Sequence, residues 1–241
     1  CCSVMKCVIL AGGLGTRLRS VVHDVPKPMA DVSGKPFLSY ILKFFNDNLN
    51  KVEFIISVGY KSSVIKEYFG ENFKKSNITY VEEKSPLGTG GALKKILNEI
   101  DFNGKSFFLV NGDTFLNVDL NQLQKMHLRT NADVTVCAIR AKERKRFGRL
   151  IFDHNTNKIS EFQSQKSDIN DLCNGGVYLI NSGSNFSNYF NCNDEKFSFE
   201  ADILDLLAKN ENIYAFPVNG YFIDIGVPRD YFLACQYFRK D

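Results

Sequence analysis

The amino-acid sequence predicts an α/β fold with a Rossmann-like, mainly parallel mixed sheet and helices on both faces. The first supporting observation is alternation: from Lys6 to Ile139, short apolar runs alternate with segments of helical apolar spacing. Such alternation is typical of parallel strands joined by helices. The second observation is size and composition, since 241 residues that are 44% hydrophobic can bury one large core.

The elements up to Ile139 follow from two local patterns. Continuous runs of β-branched and aromatic residues predict strands, and apolar residues three or four positions apart predict helices. Leu38, Ile41, Leu42 and Phe45 show the helical spacing. In chain order, the predicted elements are the strand Lys6–Leu10, the helix Pro36–Asn48, the strand Val52–Val58, the helix Ser62–Phe69, the strand Ile78–Glu82, the helix Gly90–Ile100, the strand Phe107–Val110, the helix Leu120–Thr130 and the strand Asp133–Ile139.

After about Arg140 short strands dominate, which predicts a smaller subdomain. Ser198 is expected to cap its helix, with Asp202 in the first turn, and a substrate contact from the segment Ser198-Phe199-Glu200 is the alternative. No long polar linker interrupts the chain, so residues 5–241 are interpreted as one domain with halves at 5–139 and 140–241. The predicted elements of the second half are the strands Gly148–Asp153, Lys158–Phe162 and Gly175–Ile180, the helix Ser198–Ala208, the strands Ile213–Val218 and Tyr221–Asp224, and the helix Pro228–Arg239.

Charge and hydropathy limit the classes of partner. The formal net charge is only +3, and the one basic cluster, Lys142–Arg146, is interpreted as a solvated loop, with phosphate steering as the alternative. No apolar run reaches membrane-spanning length, and Val8–Ala11 is too short for a signal-peptide core. We therefore expect no nucleic-acid or membrane partner and a cytoplasmic location.

The cysteines and histidines show no metal or disulfide pattern. The seven cysteines lack paired spacing, which argues for a reducing compartment. Cys7, Cys137 and Cys235 lie in apolar segments and are expected to be small core residues. No His or Cys stands out as a nucleophile.

The most informative stretch is the glycine turn at residues 12–15, which follows the first predicted strand. Three glycines are followed by Thr16 and Arg17, and Lys27 comes after a short gap. Glycine lets backbone amides approach a polyphosphate, arginine can bind two phosphate oxygens together, and lysine adds a compact charge. The stretch predicts a cradle for a nucleoside triphosphate. Its spacing differs from both the Walker A and the Rossmann dinucleotide motifs.

Two acidic residues, Asp113 and Asp224, also follow predicted strands. Ligands of open α/β sheets gather at the carboxyl ends of strands, so the loops at 12–17, 82–88 and 111–113 are expected to converge. A pair of carboxylates that works with substrate phosphates suits Mg²⁺. For either residue alone, a turn or capping role is the alternative.

Three motifs together resemble the signature of the sugar-1-phosphate nucleotidyltransferase family, whose fold is GT-A-like with a smaller sugar-binding subdomain. They are Gly12–Leu18 with Pro26-Lys27-Pro28, the triplet Asn111-Gly112-Asp113, and Phe222–Pro228, in which Phe222 and Val227 replace the family's Trp and Thr. The resemblance implies that Arg17, Lys27 and Asp113 are catalytic. It also implies that Asp113 and Asp224 hold a catalytic Mg²⁺.

The segment Tyr80–Gly91 resembles the family's base-recognition loop, and Glu83 stands where thymidylyl and uridylyl members carry Gln. A carboxylate accepts the two adjacent donors of guanine together, whereas uracil and thymine present one donor between two acceptors. Glu83 therefore favours GTP, with Glu82 as the alternative if the register differs by one residue. The nucleotide-binding residues that the resemblance implies are Leu10, Ala11, Gly12, Gly13, Gly15, Thr16, Glu83, Pro86, Gly88 and Thr89.

The second half resembles the family's sugar-phosphate-binding half. The sugar-phosphate-binding residues that this resemblance implies are Gly148, Glu161, Lys166, Asn174 and Tyr178. Ser164-Gln165 stands where the family carries Glu-Lys, so Lys166 follows one residue late. Arg140 and Arg149 are the alternative cations.

The implied reaction is attack by a sugar-1-phosphate oxygen on the α-phosphorus of GTP, with release of pyrophosphate and no covalent intermediate. Residues 18–29 and 34–38 resemble in particular the family of D-glycero-D-manno-heptose-1-phosphate guanylyltransferases, which implies GDP-heptose as the product. Mannose 1-phosphate, other sugar 1-phosphates, and UTP, dTTP or CTP are the alternative substrates. GTP and the sugar phosphate are the expected partners, and a homo-oligomer is left open.

The sequence disfavours two other classes of function. A regulatory homologue that binds a nucleotide sugar without catalysis is disfavoured because Arg17, Lys27, Asp113 and Asp224 are all present. A dinucleotide-binding oxidoreductase is disfavoured by the spacing of the glycines.

Overall fold

The computed structural model describes residues 4–13, 15–18, 20–140, 147–163, 172–183, 185–190 and 194–240. The β-strands are β1 (Met5–Leu10), β2 (Asp31–Val32), β3 (Lys35–Pro36), β4 (Val52–Val58), β5 (Asn72–Phe73), β6 (Ser76–Glu82), β7 (Ser106–Asn111), β8 (Thr114–Leu116), β9 (Val134–Ile139), β10 (Arg149–Phe152), β11 (Ile159–Gln163), β12 (Cys173–Asn181), β13 (Ile213–Val218) and β14 (Phe222–Asp224). The α-helices are α1 (Phe37–Asn48), α2 (Ser62–Phe69), α3 (Gly88–Glu99), α4 (Leu120–Arg129), α5 (Leu204–Asn210) and α6 (Pro228–Tyr237).

The chain divides into two compact units. The first comprises Cys1–Pro86, Val110–Asn117 and Tyr221–Asp241, and the second comprises Leu87–Leu109 and Val118–Gly220. The chain passes from the second unit to the first within β7. The division into binding halves at residue 139 stays a prediction.

The first unit contains the parallel part of the sheet. β1 pairs with β4 and β4 pairs with β6, both in parallel, while the short β5 is antiparallel to β6. The middle of β4, Phe54–Ile56, is fully buried, as expected for a strand covered on both faces. The predicted class, a mixed and mostly parallel sheet with helices, is confirmed.

Helix α1 forms as its apolar spacing predicts. Pro36 precedes it and presets an extended backbone at the point of entry. Leu38, Ile41, Leu42 and Phe45 are at most 2% exposed. Burying each such side chain contributes roughly 1.5–3 kcal/mol, so the helix is held by this face.

A short antiparallel pair, β8 with β14, lies in the first unit and was not predicted. Thr114 pairs with Asp224, and Phe115 pairs with Ile223. β8 has only three residues, all buried, and its partner is distant in the chain, so no local pattern marks it.

The second unit is built around β12, of which eight of nine residues are buried. β12 is antiparallel to β9 and β10, β11 is antiparallel to β10, and β13 is parallel to β9. Asp119 caps α4 by accepting hydrogen bonds from the backbone amides of Asn121 and Gln122. No helix among the described residues is long and apolar enough to cross a membrane.

The predicted helix Ser198–Ala208 is two elements in the structure, a π-helix at Phe199–Ile203 followed by α5. Glu200, in the π-helix, accepts a hydrogen bond from the Thr89 hydroxyl, a contact that helical periodicity does not reveal. Ser198 does cap the element, accepting from the Ala201 amide, while Asp202 accepts from the Ser198 amide.

Two further predictions at the carboxyl end are corrected. α6 ends at Tyr237 rather than Arg239, and a 3₁₀ turn, Phe238–Lys240, follows it. Cys7 and Cys137 are buried as expected, but Cys235 is partly exposed, because its thiol lies at the surface near the Asp31 carbonyl rather than in the core. Lys166 with its neighbours 164–165, and the basic cluster 142–146, lie outside the described residues.

Candidate active site

The glycine turn follows β1 directly and is fixed at both ends. The Ala11 amide donates to the Ser57 carbonyl at 2.9 Å, which ties the start of the turn to β4. Gly15 has φ +59°, a conformation that glycine adopts without strain, and a Cβ there would lie 3.0 Å from Cβ of Lys27. Thr16 and Arg17 follow in a 3₁₀ turn and are exposed, so both side chains are accessible to a ligand.

Lys27 and Asp113 form a tight ion pair. The Lys27 ammonium donates to Asp113 Oδ2 at 2.5 Å, and the Lys27 side chain is only 11% exposed. Burial by itself raises the pKa of the Asp113 carboxyl, but the Lys27 charge and the hydrogen bonds from Lys27 and Thr114 hold that pKa below its ordinary value. The carboxyl is therefore ionised at neutral pH.

The β8–β14 pair places Asp113 and Asp224 beside each other. The Thr114 hydroxyl lies 3.3 Å from Asp113 Oδ1 and 3.5 Å from Asp224 Oδ2, so it reaches both carboxylates. Asp224 Oδ1 accepts from the Gly226 amide at 2.7 Å. Gly112 packs on the end of β1, where a Cβ would lie 2.7 Å from the Leu10 carbonyl oxygen. This contact brings Asp113 to the strand that leads into the glycine turn.

The donor set at Asp113 and Asp224 fits a hard divalent cation. Among the described residues there is no group of three or more His, Cys, Asp or Glu side chains that could hold a metal ion. A pair of carboxylates without nitrogen or sulfur ligands suits an ion that takes its remaining ligands from water and substrate phosphates.

Glu82 and Glu83 have different surroundings. Glu82 is exposed, pairs with Lys66 at 2.8 Å and accepts from Ser62 at 2.7 Å. Glu83 is partly buried, and its Oε1 accepts from the Ser57 hydroxyl at 2.7 Å. The Glu83 carboxylate lies against the glycine turn, since a Cβ on Gly12 would be 2.0 Å from its Oε1.

Gly88 and Thr89 belong to the second unit, at the start of α3. Gly88 has φ +72°, and a Cβ there would lie 2.4 Å from the Phe197 carbonyl oxygen. The Thr89 hydroxyl donates to Glu200 at 2.5 Å and accepts from the Phe199 amide at 2.9 Å. The start of α3 is therefore bound to the segment 197–200.

Three of the predicted sugar-phosphate residues meet in the second unit. The Asn174 amide donates to the Gly148 carbonyl at 2.8 Å, and Asn174 Nδ2 donates to the Tyr178 hydroxyl at 2.5 Å. Burial raises the pKa of the Tyr178 phenol well above its ordinary value, with the Glu200 charge adding to it, so Tyr178 stays neutral. Glu161 lies on β11 and accepts from Gln163 at 2.7 Å.

Three residues of these networks were not predicted: Ser57, Thr114 and Glu200. Ser57 carried a local signal, because it is a hydroxyl near the end of a buried apolar strand. Thr114 and Glu200 are recognised only through partners that are far away in the sequence.

The mixed sheet, with a glycine turn after β1, a lysine and a carboxylate pair, is the fold and arrangement of a nucleotidyl transferase. The family model described as nucleotidyl transferase matches residues 6–240, and the chain belongs to this family. Members of the family generally use a divalent metal ion.

The chain is similar to two D-glycero-α-D-manno-heptose 1-phosphate guanylyltransferases. It is 40% identical over 230 residues to that of Aneurinibacillus thermoaerophilus, covering 94% of this chain and 95% of the relative. It is 40% identical over 228 residues to that of Campylobacter jejuni, covering 95% and 97%. Among solved structures, HddC from Yersinia pseudotuberculosis has a TM-score of 0.81 and 34% identity, over 98% of this chain and all of that one. HddC has also been solved in complex with GMP-PN, with a TM-score of 0.79.

Proposed function

We propose that the protein transfers a guanylyl group from GTP to D-glycero-α-D-manno-heptose 1-phosphate, forming GDP-heptose and pyrophosphate. The observation that carries the choice of GTP is the Glu83 carboxylate, hydrogen-bonded to Ser57 and lying against the glycine turn. The two heptose-phosphate guanylyltransferases at 40% identity, and the complex of HddC with GMP-PN, support the assignment.

The nucleotide phosphates are assigned to the glycine turn and two cations. The backbone amides of Gly12, Gly13, Gly15 and Thr16 are assigned to the triphosphate, and Leu10 and Ala11 lead into the turn. Arg17 binds the β- and γ-phosphates, which leave as pyrophosphate. Lys27 neutralises the α-phosphate, where negative charge grows as the sugar phosphate attacks in line.

Asp113 and Asp224 are assigned to the metal, which we propose to be Mg²⁺. When bound, the ion would neutralise phosphate charge and orient the reacting groups. The two aspartates are held for this role by Thr114 and by the Gly226 amide. No His or Cys nucleophile is needed, because the sugar phosphate is itself the nucleophile.

Guanine is assigned to Glu83, with Pro86, Gly88 and Thr89 completing the base-recognition loop. The hydrogen bond to Ser57 favours this residue over Glu82, which is engaged with Lys66 on the other side of the strand.

The sugar phosphate is assigned to Gly148, Glu161, Asn174, Tyr178 and Lys166. Because Tyr178 is fully buried, we assign it a positioning role, in which its hydroxyl holds the side chain of Asn174 by accepting a hydrogen bond from Nδ2.

Free thiols at Cys7, Cys137, Cys173 and Cys235 suit a reducing compartment, and we propose a cytoplasmic location.

The proposed function is tested by release of pyrophosphate from a matrix of substrates. GTP, UTP, dTTP and CTP are each mixed with Mg²⁺ and with heptose 1-phosphate, mannose 1-phosphate or glucose 1-phosphate. We expect the highest kcat/KM for GTP with the heptose phosphate. A preference for mannose 1-phosphate would replace the sugar assignment, a preference for UTP or dTTP would replace the base assignment, and no release with any pair would favour the regulatory class.

A further inference from the structure

The end of β4 carries a buried hydroxyl whose partner is the proposed base-recognition residue. Ser57 is fully buried, and a buried hydroxyl needs a hydrogen-bond partner to offset its desolvation. Its Oγ donates to Glu83 Oε1 at 2.7 Å. A carboxylate offers about four lone-pair sites, so the hydrogen bond from Ser57 uses only part of the acceptor capacity of Glu83.

The Glu83 carboxylate, which accepts a hydrogen bond from Ser57, also packs against Gly12. A Cβ on Gly12 would lie 2.0 Å from Glu83 Oε1 and 3.1 Å from Oε2, which no real contact allows. The φ of Gly12 lies outside the positive range, so space rather than backbone conformation requires glycine at this position. Among the residues that the structure describes, chain neighbours aside, no atom lies within 4 Å of a Cβ added to the neighbouring Gly13.

The backbone holds these groups in register. The Glu83 amide donates to the Val58 carbonyl at 2.7 Å, and the Ala11 amide donates to the Ser57 carbonyl at 2.9 Å. Backbone hydrogen bonds therefore join the end of β4 both to the start of the glycine turn and to Glu83, the first residue after β6.

We infer that Ser57 and Gly12 fix the Glu83 carboxylate in one orientation and thereby set the preference for guanine over uracil. This inference rests on the proposed use of GTP. A carboxylate that is already fixed binds guanine without a further loss of side-chain conformational entropy. It also stays opposite the carbonyl oxygens of uracil, which a mobile side chain would turn away from. Ser57 is a positioning residue, since it acts through Glu83.

The test compares the dissociation constants of GTP and UTP, measured by calorimetry on the folded full-length chain. Ser57→Ala is expected to lower the ratio of UTP to GTP dissociation constants about tenfold, the size of one lost hydrogen bond to a charged group. In a Glu83→Gln background the same substitution is expected to change the ratio less than about twofold. A loss of protein stability alone would weaken the binding of GTP and of UTP equally and leave the ratio of their dissociation constants unchanged.

Gly12→Ala and Gly13→Ala form a matched pair for the second residue. Both keep the backbone amides, and an effect on phosphate binding falls on both nucleotides alike. Gly12→Ala is expected to lower the ratio at least about tenfold, because the new Cβ displaces the carboxylate, whereas Gly13→Ala leaves it unchanged.

The outcomes separate the two proposals. Wild-type protein that binds UTP as tightly as GTP overturns the proposed base and the inference with it. A wild-type preference for GTP that survives in both Ser57→Ala and Gly12→Ala overturns the inference alone.

Discussion

Glu82, the last residue of β6, and Glu83, the first residue after it, have different partners, as expected when consecutive side chains of an extended chain alternate between its two sides. The pKa of the Glu82 carboxyl is lowered by hydrogen bonds from Lys66 and Ser62 on α2. Glu83, one residue on, meets Ser57 and Gly12 instead. The sequence left the choice between the two glutamates open, because both are followed by the same loop.

Glu83→Gln is expected to lower kcat/KM for GTP roughly ten- to a hundredfold, since a charge-assisted pair with guanine is worth about 1.5–3 kcal/mol. Relative use of UTP or dTTP rises, because an amide can pair with an imide edge. The matched control is Glu82→Gln, which removes only an exposed ion pair and is expected to stay within about twofold. Equal effects of the two substitutions would remove Glu83 from the base site.

Asp113→Asn and Asp224→Asn are each expected to lower kcat at least about a hundredfold while GTP still binds through the glycine turn. The reason is that an amide keeps the shape of the side chain but loses the negative charge that holds a hard cation. Stopped assays of pyrophosphate across a Mg²⁺ series measure the effect. Full activity of wild-type enzyme in excess EDTA would contradict the metal assignment.

At the scale of elements, Thr89 fastens the start of α3 to the π-helix. Thr89→Val removes the donor to Glu200 and the acceptor for the Phe199 amide, and is expected to cost roughly 1–3 kcal/mol of unfolding free energy. Thr89→Ser keeps both hydrogen bonds and is the control. Urea unfolding measures the stability of each variant. The KM for GTP is expected to rise in the Thr89→Val variant but not in the Thr89→Ser variant. Identical behaviour of the two variants would show that the hydroxyl has no such role.

The packing of α4 introduces a pH dependence through His127. The imidazole is buried, with Thr135 Oγ1 at 2.8 Å from Nδ1 and Ser106 Oγ at 3.2 Å from Nε2. Burial lowers the pKa of His127 from 6.5 to about 4, although the charge of Asp133 opposes the shift. Between these values the unfolded chain binds a proton that the folded protein does not. Stability on this account is full above pH 6.5 and falls as the pH falls towards 4.

The pH effect is isolated by a difference between two proteins. Relative to His127→Asn, the wild-type free energy of unfolding is expected to drop by about 2 kcal/mol from pH 7 to pH 4.5. Urea unfolding at each pH measures it, and His154→Asn, which alters an exposed imidazole, serves as the control. A pH-independent difference would mean that His127 is not buried in its neutral form.

Over the whole molecule, elements with a strong local period were predicted best. Val52–Val58, Ser62–Phe69 and Ile213–Val218 coincide with β4, α2 and β13 residue for residue. β8 was missed because three residues carry no period, and it is ordered by a partner more than a hundred residues away. The site shows the same division. The residues of the sequence motifs were named from the sequence, and Ser57 carried a local signal, whereas the contacts of Thr114 and Glu200 depend on partners distant in the chain.

A ligand that binds only the folded protein raises the melting temperature of the whole chain. GTP with Mg²⁺ at about a hundred times its dissociation constant adds about 2.7 kcal/mol, which corresponds to roughly 5–10 °C for a chain of this size. Asp224→Asn is expected to keep the shift caused by GTP alone and to lose the part that Mg²⁺ adds. A full Mg²⁺-dependent shift in that variant would place the ion elsewhere.

The Lys27–Asp113 ion pair has a consequence for the order in which ligands arrive. Without nucleotide, the lysine is the internal counter-ion of the carboxylate, so a free divalent cation must displace a tethered charge to reach it. If Lys27 binds phosphate and Asp113 binds the cation, as proposed, an incoming phosphate gives the lysine a second anion and releases the carboxylate. Cation and nucleotide are then expected to bind cooperatively, and the protein without nucleotide is expected to take up divalent ions poorly.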